Sequence, residues 1–472
     1  MLCGSTSGGG GGCGGGNHND DGAFTGARIA TFTLPGKKWH WRLLVSAAHF
    51  AEIIPPDVRP RFAPGTLFVT SLMNLADLIA LRPDLARRRK VLYFHENQFA
   101  YPSSQQHQEL PAQQKHPAKM QKSKKAWSDY GWAQIMSCLA ADEVLFNSEY
   151  NKKTFLKGAE RLLSMIPAPS RPAGIPERIA AKSRVLYFPL LFLNSPVPVQ
   201  NYATHVSSTS KSGGGADDVD VRPLHVVWPH RWEHDKGPDV LMRVIRHLDV
   251  QSKRNDFAVW ISVLGEQFPE YPEEFNAIRD EFWRGQAEGQ AETNSGETNV
   301  RHHLHTPGVH LLHFGHVETR AAYEDVLLAA DVVLSTARHD FFGSSTMEAV
   351  YLGCVPLCPD ALVYPELYPS SCLYRTEAQL LKRLRNFARR PDILRRTTAP
   401  EMMSTIAPEN YTLSALQREY GKVLGVVVDS AKLDIQFSPL TMVLLGLCGV
   451  SMLLHFALLL FEKENGHGKG GQ

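Results

Sequence analysis

The sequence predicts an α/β protein of two Rossmann-like domains facing a cleft, and three observations carry that prediction. Two series of short, nearly continuous apolar runs recur along the chain, rich in β-branched and aromatic residues, as strands buried on both faces are. Amphipathic stretches separate successive runs, the alternation that builds a parallel sheet. A polar, glycine-rich segment at 199–221 divides the two series as a linker. With 472 residues the chain also exceeds the length at which single cores stop growing, roughly 250–300 residues.

Taken in order, residues 1–27 hold two glycine tracts that cannot repay their backbone entropy by packing, so a flexible arm is expected. The arm has neither the basic start nor the apolar stretch of a secretory signal. The first domain, 28–198, carries strand runs at 28–34, 66–70, 91–94, 143–146 and 185–188. Helical patterns lie at 71–81 and 132–139, and a polar insert at 103–125. The second, 222–424, carries strand runs at 224–228, 258–264, 309–314, 331–335 and 355–358. Its helical patterns lie at 239–248, 320–330 and 345–352, with a polar insert at 285–306. Two successive doubly wound units put a ligand crevice between domains, at the carboxyl ends of the strands. The apolar run 440–461 would reach about 33 Å as a helix, enough to cross a bilayer. Only a short polar tail follows, which predicts a tail anchor on a cytoplasmic protein; an amphipathic tail is the alternative.

Composition narrows the function classes. A hydrophobic share of 43% and a charged share of 21% exclude disorder as a description of the whole. Lys+Arg 50 against Asp+Glu 48 leaves +2, so any field that attracts nucleic acid must be local. Three basic runs are candidates: Arg87 to Lys90, the lysines from Lys115 to Lys125, and the cations from Lys382 to Arg396. Each is equally readable as a solvated face. Seven cysteines in so long a chain do not make a disulfide scaffold.

Chemistry concentrates in two segments of the second domain. In Trp228-Pro229-His230-Arg231-Trp232-Glu233-His234-Asp235-Lys236-Gly237-Pro238, a strand gives way to a helix with Pro at its first turn. Arg231 and Lys236 thus lie beside helix-terminal N–H donors, a setting that suits a diphosphate. The other reading pairs them with Glu233 and Asp235. His230-x-x-Glu233-His234 also matches an inverted zinc-protease pattern, but Gly237-Pro238 leaves no room for the helix that chemistry needs. In the second segment, Asp340 and Glu348 bracket the turn Phe341-Phe342-Gly343-Ser344. Turn amides can meet a phosphate while the carboxylates accept sugar hydroxyls. The plainer reading makes Asp340 a turn residue and Glu348 a first-turn acid. In the first domain His95-Glu96-Asn97 ends a strand and faces the cleft, either as a functional group or as a capping cluster.

These segments resemble the retaining glycosyltransferases with two Rossmann domains (the GT-B type), the family of sucrose and glycogen synthases. Arg231-x4-Lys236 falls on that family's diphosphate-binding pair, and Asp340-x7-Glu348 on its E-x7-E motif with Asp for the first Glu. The resemblance implies that Asp340 contacts the donor sugar, Phe342, Gly343 and Ser344 the phosphate, and Glu348 the ribose. A closer resemblance covers about 28–424. Leu34-Pro35-Gly36-Lys37-Lys38-Trp39-His40-Trp41-Arg42, Ser71-Leu72-Met73-Asn74-Leu75, Tyr93-Phe94-His95-Glu96-Asn97-Gln98 and Leu362-Val363-Tyr364-Pro365-Glu366 are similar to the glycosyltransferase-like domain-containing protein 1 family. That family implies mannose transfer from GDP-mannose to queuosine in the anticodon of tRNA-Asp. Their place at the cleft makes His95, able to hydrogen-bond the transferring sugar, and Glu96, able to orient an acceptor hydroxyl, candidates for the reacting centre beside Asp340, while the resemblance puts Arg231, Lys236, Phe342, Gly343, Ser344 and Glu348 on the donor. No cofactor or metal is expected, since cations and a helix dipole can neutralise the diphosphate. The cytoplasm or nucleus is the expected compartment. Members of the family begin with a further strand, a glycine-containing loop and a helix; the glycine arm stands there instead. That replacement would favour an impaired nucleotide- or RNA-binding homologue, and the apolar tail would favour a lipid or protein acceptor.

Overall fold

The structure, a computed structural model, describes residues 27–34, 39–55, 65–100, 117–190, 222–283, 305–425 and 456–463. The arm at 1–26, the linker expected at 199–221 and the insert at 284–304 fall outside these.

The first sheet combines β1 (Ala27–Leu34), β2 (Thr66–Thr70), β3 (Arg89–Phe94), β4 (Glu143–Phe146) and β5 (Ser183–Val185). From β2 to β5 the strands are parallel neighbours in chain order. Helices α1 (Trp39–Ile53), α2 (Leu75–Leu81), α3 (Pro117–Ala140) and α4 (Glu149–Ser164) connect them. The polar insert expected up to residue 125 already enters α3 at Pro117. The last expected strand, 185–188, forms earlier, over Ser183–Val185.

The second sheet is made of β6 (Leu224–Pro229), β7 (Ala258–Leu264), β8 (Gly308–Gly315), β9 (Val332–Leu334), β10 (Val355–Pro359) and β11 (Leu373–Tyr374). Read from β8, the order is β8-β7-β6-β9-β10-β11, and every pairing is parallel. This is the doubly wound order 3-2-1-4-5-6, whose direction reverses between β6 and β9. Helices α5 (Pro238–Asn255), α6 (Arg320–Ala329), α7 (Ser344–Tyr351) and α8 (Glu377–Arg389) flank it. All six residues of β6 are buried, which fits a strand covered on both faces.

Residues 440–455 of the C-terminal apolar run lie outside the described residues, and the remainder needs correction. Its described part is a strand, β12 (Phe456–Lys463), and not a membrane-crossing helix. β12 lies between β1 and β2 and pairs antiparallel with both, Ile29 opposite Phe461 and Val69 opposite Leu458. A continuous run of Leu and Phe satisfies a strand as well as a helix, and two open strand edges supply the hydrogen bonds that decide between them. Among the described residues no helix is long and apolar enough to cross a membrane.

Among the described residues three apolar clusters form the core: one under the first sheet, one under the second, and one that joins them. The joining cluster brings Tyr93, Leu145 and Leu186 against Phe342, Met347, Tyr364 and Tyr420. Helix α9 (Leu413–Leu424) returns from the second domain, and its Tyr420 hydroxyl donates to the Tyr187 carbonyl at 3.0 Å.

Candidate active site

The reversal between β6 and β9 places two loops side by side at the carboxyl edge of the second sheet. Chain geometry clamps them together. Gly237 has φ +67°, and a Cβ there would come within 2.2 Å of the Thr336 carbonyl oxygen. The Thr336 hydroxyl donates to the Lys236 carbonyl at 2.7 Å and accepts from the Trp228 indole at 2.9 Å. Only glycine tolerates both this backbone region and this approach.

Lys236 is buried, with its ammonium donating to the His339 carbonyl at 2.8 Å and lying 3.2 Å from Asp235 and 4.0 Å from Asp340. Burial pulls its pKa down, but Asp235 and Asp340 prevail, so the amine is held as a cation. Arg231 pairs with Glu233 at 3.1 Å. Both cations expected for the diphosphate are therefore present, and both already touch acids. The internal pairing with Glu233 and Asp235 that the sequence allowed is present.

Asp340 works on its own turn. One oxygen accepts from the Phe342 and Gly343 N–H groups at 3.3 and 2.8 Å, and the other accepts from the Tyr364 hydroxyl at 3.2 Å. Burial raises its pKa, yet Lys236 and the turn N–H groups outweigh that and keep it below the usual carboxylate range. Two amides expected to meet a phosphate are thus bonded to Asp340 in this structure. Gly343, at φ +70°, turns the chain into α7. Ser344 begins that helix, and Glu348 lies one turn further, buried against Arg320 at 3.2 Å. Its carboxyl is pushed up by burial, with Arg320 opposing.

The first domain contributes the end of β3. His95 is buried, its Nδ1 has no partner, and burial pushes its pKa down to about 4, so the ring is neutral. His230 is also neutral, pushed down to about 3 by burial, with Nε2 unpartnered. Glu96 accepts from the Gln98 amide at 3.2 Å. Burial raises it to about 7, while Arg231 and Lys236 across the cleft pull the other way. A carboxyl titrating near neutrality beside two fixed cations can hold or release a proton during a reaction. Asn97 serves structure instead, donating to Asn151 Oδ1 at 2.8 Å and Thr154 Oγ1 at 3.0 Å.

His230 and His234 do not share a face. The first is buried at the strand end and the second is exposed in a short turn, so the protease pattern has no structural counterpart.

With this geometry in view, similarity to known proteins is informative. Residues 22–190 match the tRNA-queuosine alpha-mannosyltransferase N-terminal family. A Drosophila melanogaster tRNA-queuosine alpha-mannosyltransferase is 40% identical over 365 residues, covering 77% of this chain and 81% of that protein. The chain belongs to the tRNA-queuosine alpha-mannosyltransferase family. Similar solved structures include a UDP-forming trehalose-phosphate synthase from Burkholderia xenovorans, at 12% identity and TM-score 0.49 over 85% of this chain and 79% of that one. Another is Anabaena HepE with UDP and glucose, at 14% identity and TM-score 0.44 over 76% and 78%.

For a member of this family, several site residues escape a reading by motif. Arg320 lies 28 positions before Glu348, and no spacing rule links them. Tyr364 is visible as part of a matching segment, but its grip on Asp340 is tertiary. The basic runs also change meaning. Arg88 is buried, Arg89 pairs with Glu143, and Lys90 pairs with Asp142 at 2.7 Å. Arg395 is buried on Asp331 at 2.8 Å, Arg390 pairs with Asp392, and Arg389 donates to Asn255. Much of the first and third runs is engaged within the protein. The side chains of the lysines up to Lys125 fall outside the described residues.

Proposed function

We propose that this chain transfers mannose from GDP-mannose to the queuosine of tRNA-Asp, with retention at the anomeric carbon. The observation that carries the reading is the meeting of Arg231, Lys236 and Asp340 at the switch point with Glu96 of the opposite domain, whose carboxyl feels both cations. Arg231 and Lys236 would exchange their acid partners for the donor diphosphate and stabilise the leaving GDP. Asp340 would release turn amides toward the phosphate and take sugar hydroxyls. Neutral His95 offers a ring N–H or lone pair to the mannose, and Glu96, ionised above about pH 7, receives the acceptor hydroxyl proton. Glu348, fixed by Arg320, is placed for the ribose. Because side-chain cations neutralise the diphosphate, transfer is expected to survive chelators.

For the acceptor, α4 supplies a cationic stripe. Lys153, Lys157 and Arg161 recur every fourth residue and are exposed, Lys153 at 74% with Glu149 only loosely beside it at 3.9 Å. The helix starts at the cleft, where Tyr150 packs 6.0 Å from Phe341, and the stripe runs about 12 Å away from it. Such a row fits successive RNA phosphates.

The test is incubation with labelled GDP-mannose and either queuosine-containing or queuosine-free tRNA-Asp. Label in the queuosine-containing RNA alone is expected. Equal labelling of both RNAs, or label in a lipid extract instead, would overturn the acceptor assignment.

A further inference from the structure

Glu366 makes a three-point contact across the two domains. One carboxylate oxygen accepts from the Glu149 N–H at 2.9 Å and from the Tyr187 hydroxyl at 3.1 Å, and the other accepts from the Tyr150 N–H at 2.9 Å. These N–H groups belong to the first turn of α4, where no intrahelical acceptor exists. Ser148 caps the next one, Asn151, at 3.0 Å. A helix terminus in the acceptor domain is thus completed by a carboxylate of the donor domain, with the helix dipole favouring its charge.

The segment that presents Glu366 is unusual in two respects. Leu362 is held at φ +60°, a region that a bulky side chain rarely adopts and that costs conformational energy. The four-residue helix that follows, Tyr364–Leu367, carries both Glu366 and Tyr364. Tyr364 donates to Asp340 and shares a 2.7 Å bond with the Ser335 hydroxyl. On the far side, Tyr187 packs on Phe342 and Tyr411, and Tyr150 on Phe341. The residues that Glu366 grips are therefore the ones that press on the donor turn.

We propose that Glu366 is the latch of the closed cleft, a positioning residue that ties the α4 terminus to the donor turn through Tyr364, Tyr150 and Tyr187. Its opening separates the domains and loosens Asp340 and the Phe341-Phe342-Gly343 turn together. The inference rests on the donor-site reading above, but its physical content is a contact between domains.

The experiment compares wild type with Glu366→Ala, Glu366→Asp, Glu366→Gln and Tyr187→Phe. Small-angle scattering with and without GDP reports closure, and steady-state kinetics with GDP-mannose reports coupling to the site. Glu366→Ala is expected to raise the radius of gyration with GDP bound, to raise the donor KM about tenfold or more, and to increase donor hydrolysis without acceptor. Glu366→Asp should recover part of each effect. Tyr187→Phe, which removes one hydrogen bond, should shift the same quantities less. If Glu366→Ala does not fold, Glu366→Gln and Tyr187→Phe carry the test. A folded variant with unchanged scattering and unchanged donor KM would overturn the latch, as would lost thermal stability with neither quantity moved. Loss of GDP-dependent compaction in the variant, beside a wild type that transfers to no acceptor, keeps the latch and rejects the transferase reading.

Discussion

The two sheets of this molecule are assembled in different ways. The second closes within one stretch of chain, six parallel strands from Leu224 to Tyr374 in the doubly wound order. The first takes in an antiparallel strand from Phe456–Lys463, far along the chain, between β1 and β2. The chemistry divides along the same line. The locally built sheet holds Arg231 and Lys236 at its switch point, whereas the sheet with the added strand supplies His95 and Glu96 just past β3, one strand beyond β2. The difference teaches that the loops of the second sheet depend on local sequence, and those of the first on a long-range pairing.

The largest effect should come from breaking that pairing. Leu459→Pro removes a ladder donor where β12 is flanked by strands on both sides. Hydrogen exchange is expected to show β1, β2 and β12 losing protection while β6 to β10 retain it; uniform protection would mean that β12 is dispensable.

Next in size is the donor site. Lys236→Ala should lower turnover by about 10²–10³-fold with the fold intact, as loss of a charge aimed at the leaving group does. Turnover at the wild-type level, with unchanged circular dichroism, would remove Lys236 from the mechanism.

Glu96 gives a pH signature. The rate should rise with pH to a midpoint of about 7, and Glu96→Gln should be slower and flat. The sign for stability is opposite. A carboxyl raised in the folded state favours folding while protonated, and that advantage disappears as pH rises through about 7. Thermal melts should therefore find Glu96→Gln level with wild type at pH 4 and more stable at pH 8.

The smallest effect concerns α4. Lys153→Glu, Lys157→Glu and Arg161→Glu combined should raise the tRNA KM and flatten its salt dependence by about two units of log–log slope, leaving GDP affinity unchanged. An unaltered salt slope would place RNA elsewhere.

What could be read from the sequence follows the same division. In the second domain the runs at 258–264 and 224–228 are strands almost to the residue, because parallel strands buried on both faces are apolar throughout. Arg231, Lys236, Asp340 and Glu348 were legible because they flank their own strand-to-helix turns. The partners of Glu348 and Asp340, Arg320 and Tyr364, were not, since folding alone brings them in. Phe456 to Phe461 misled because a continuous apolar run carries no period, and only the free edges of β1 and β2 choose its structure. In the first and third basic runs Arg89, Lys90 and Arg395 are engaged within the protein for a related reason: charge along a chain does not reveal whether Asp142, Glu143 or Asp331 will fold against it.

The most direct measurement of the central claim is single-turnover transfer of labelled mannose to queuosine-containing tRNA by the wild type and by Lys236→Ala, side by side. The account predicts label in the RNA with the wild type and a loss of about 10²-fold or more in rate with the variant. Equal rates from the two proteins, or no label from a folded wild type that binds GDP, would contradict it.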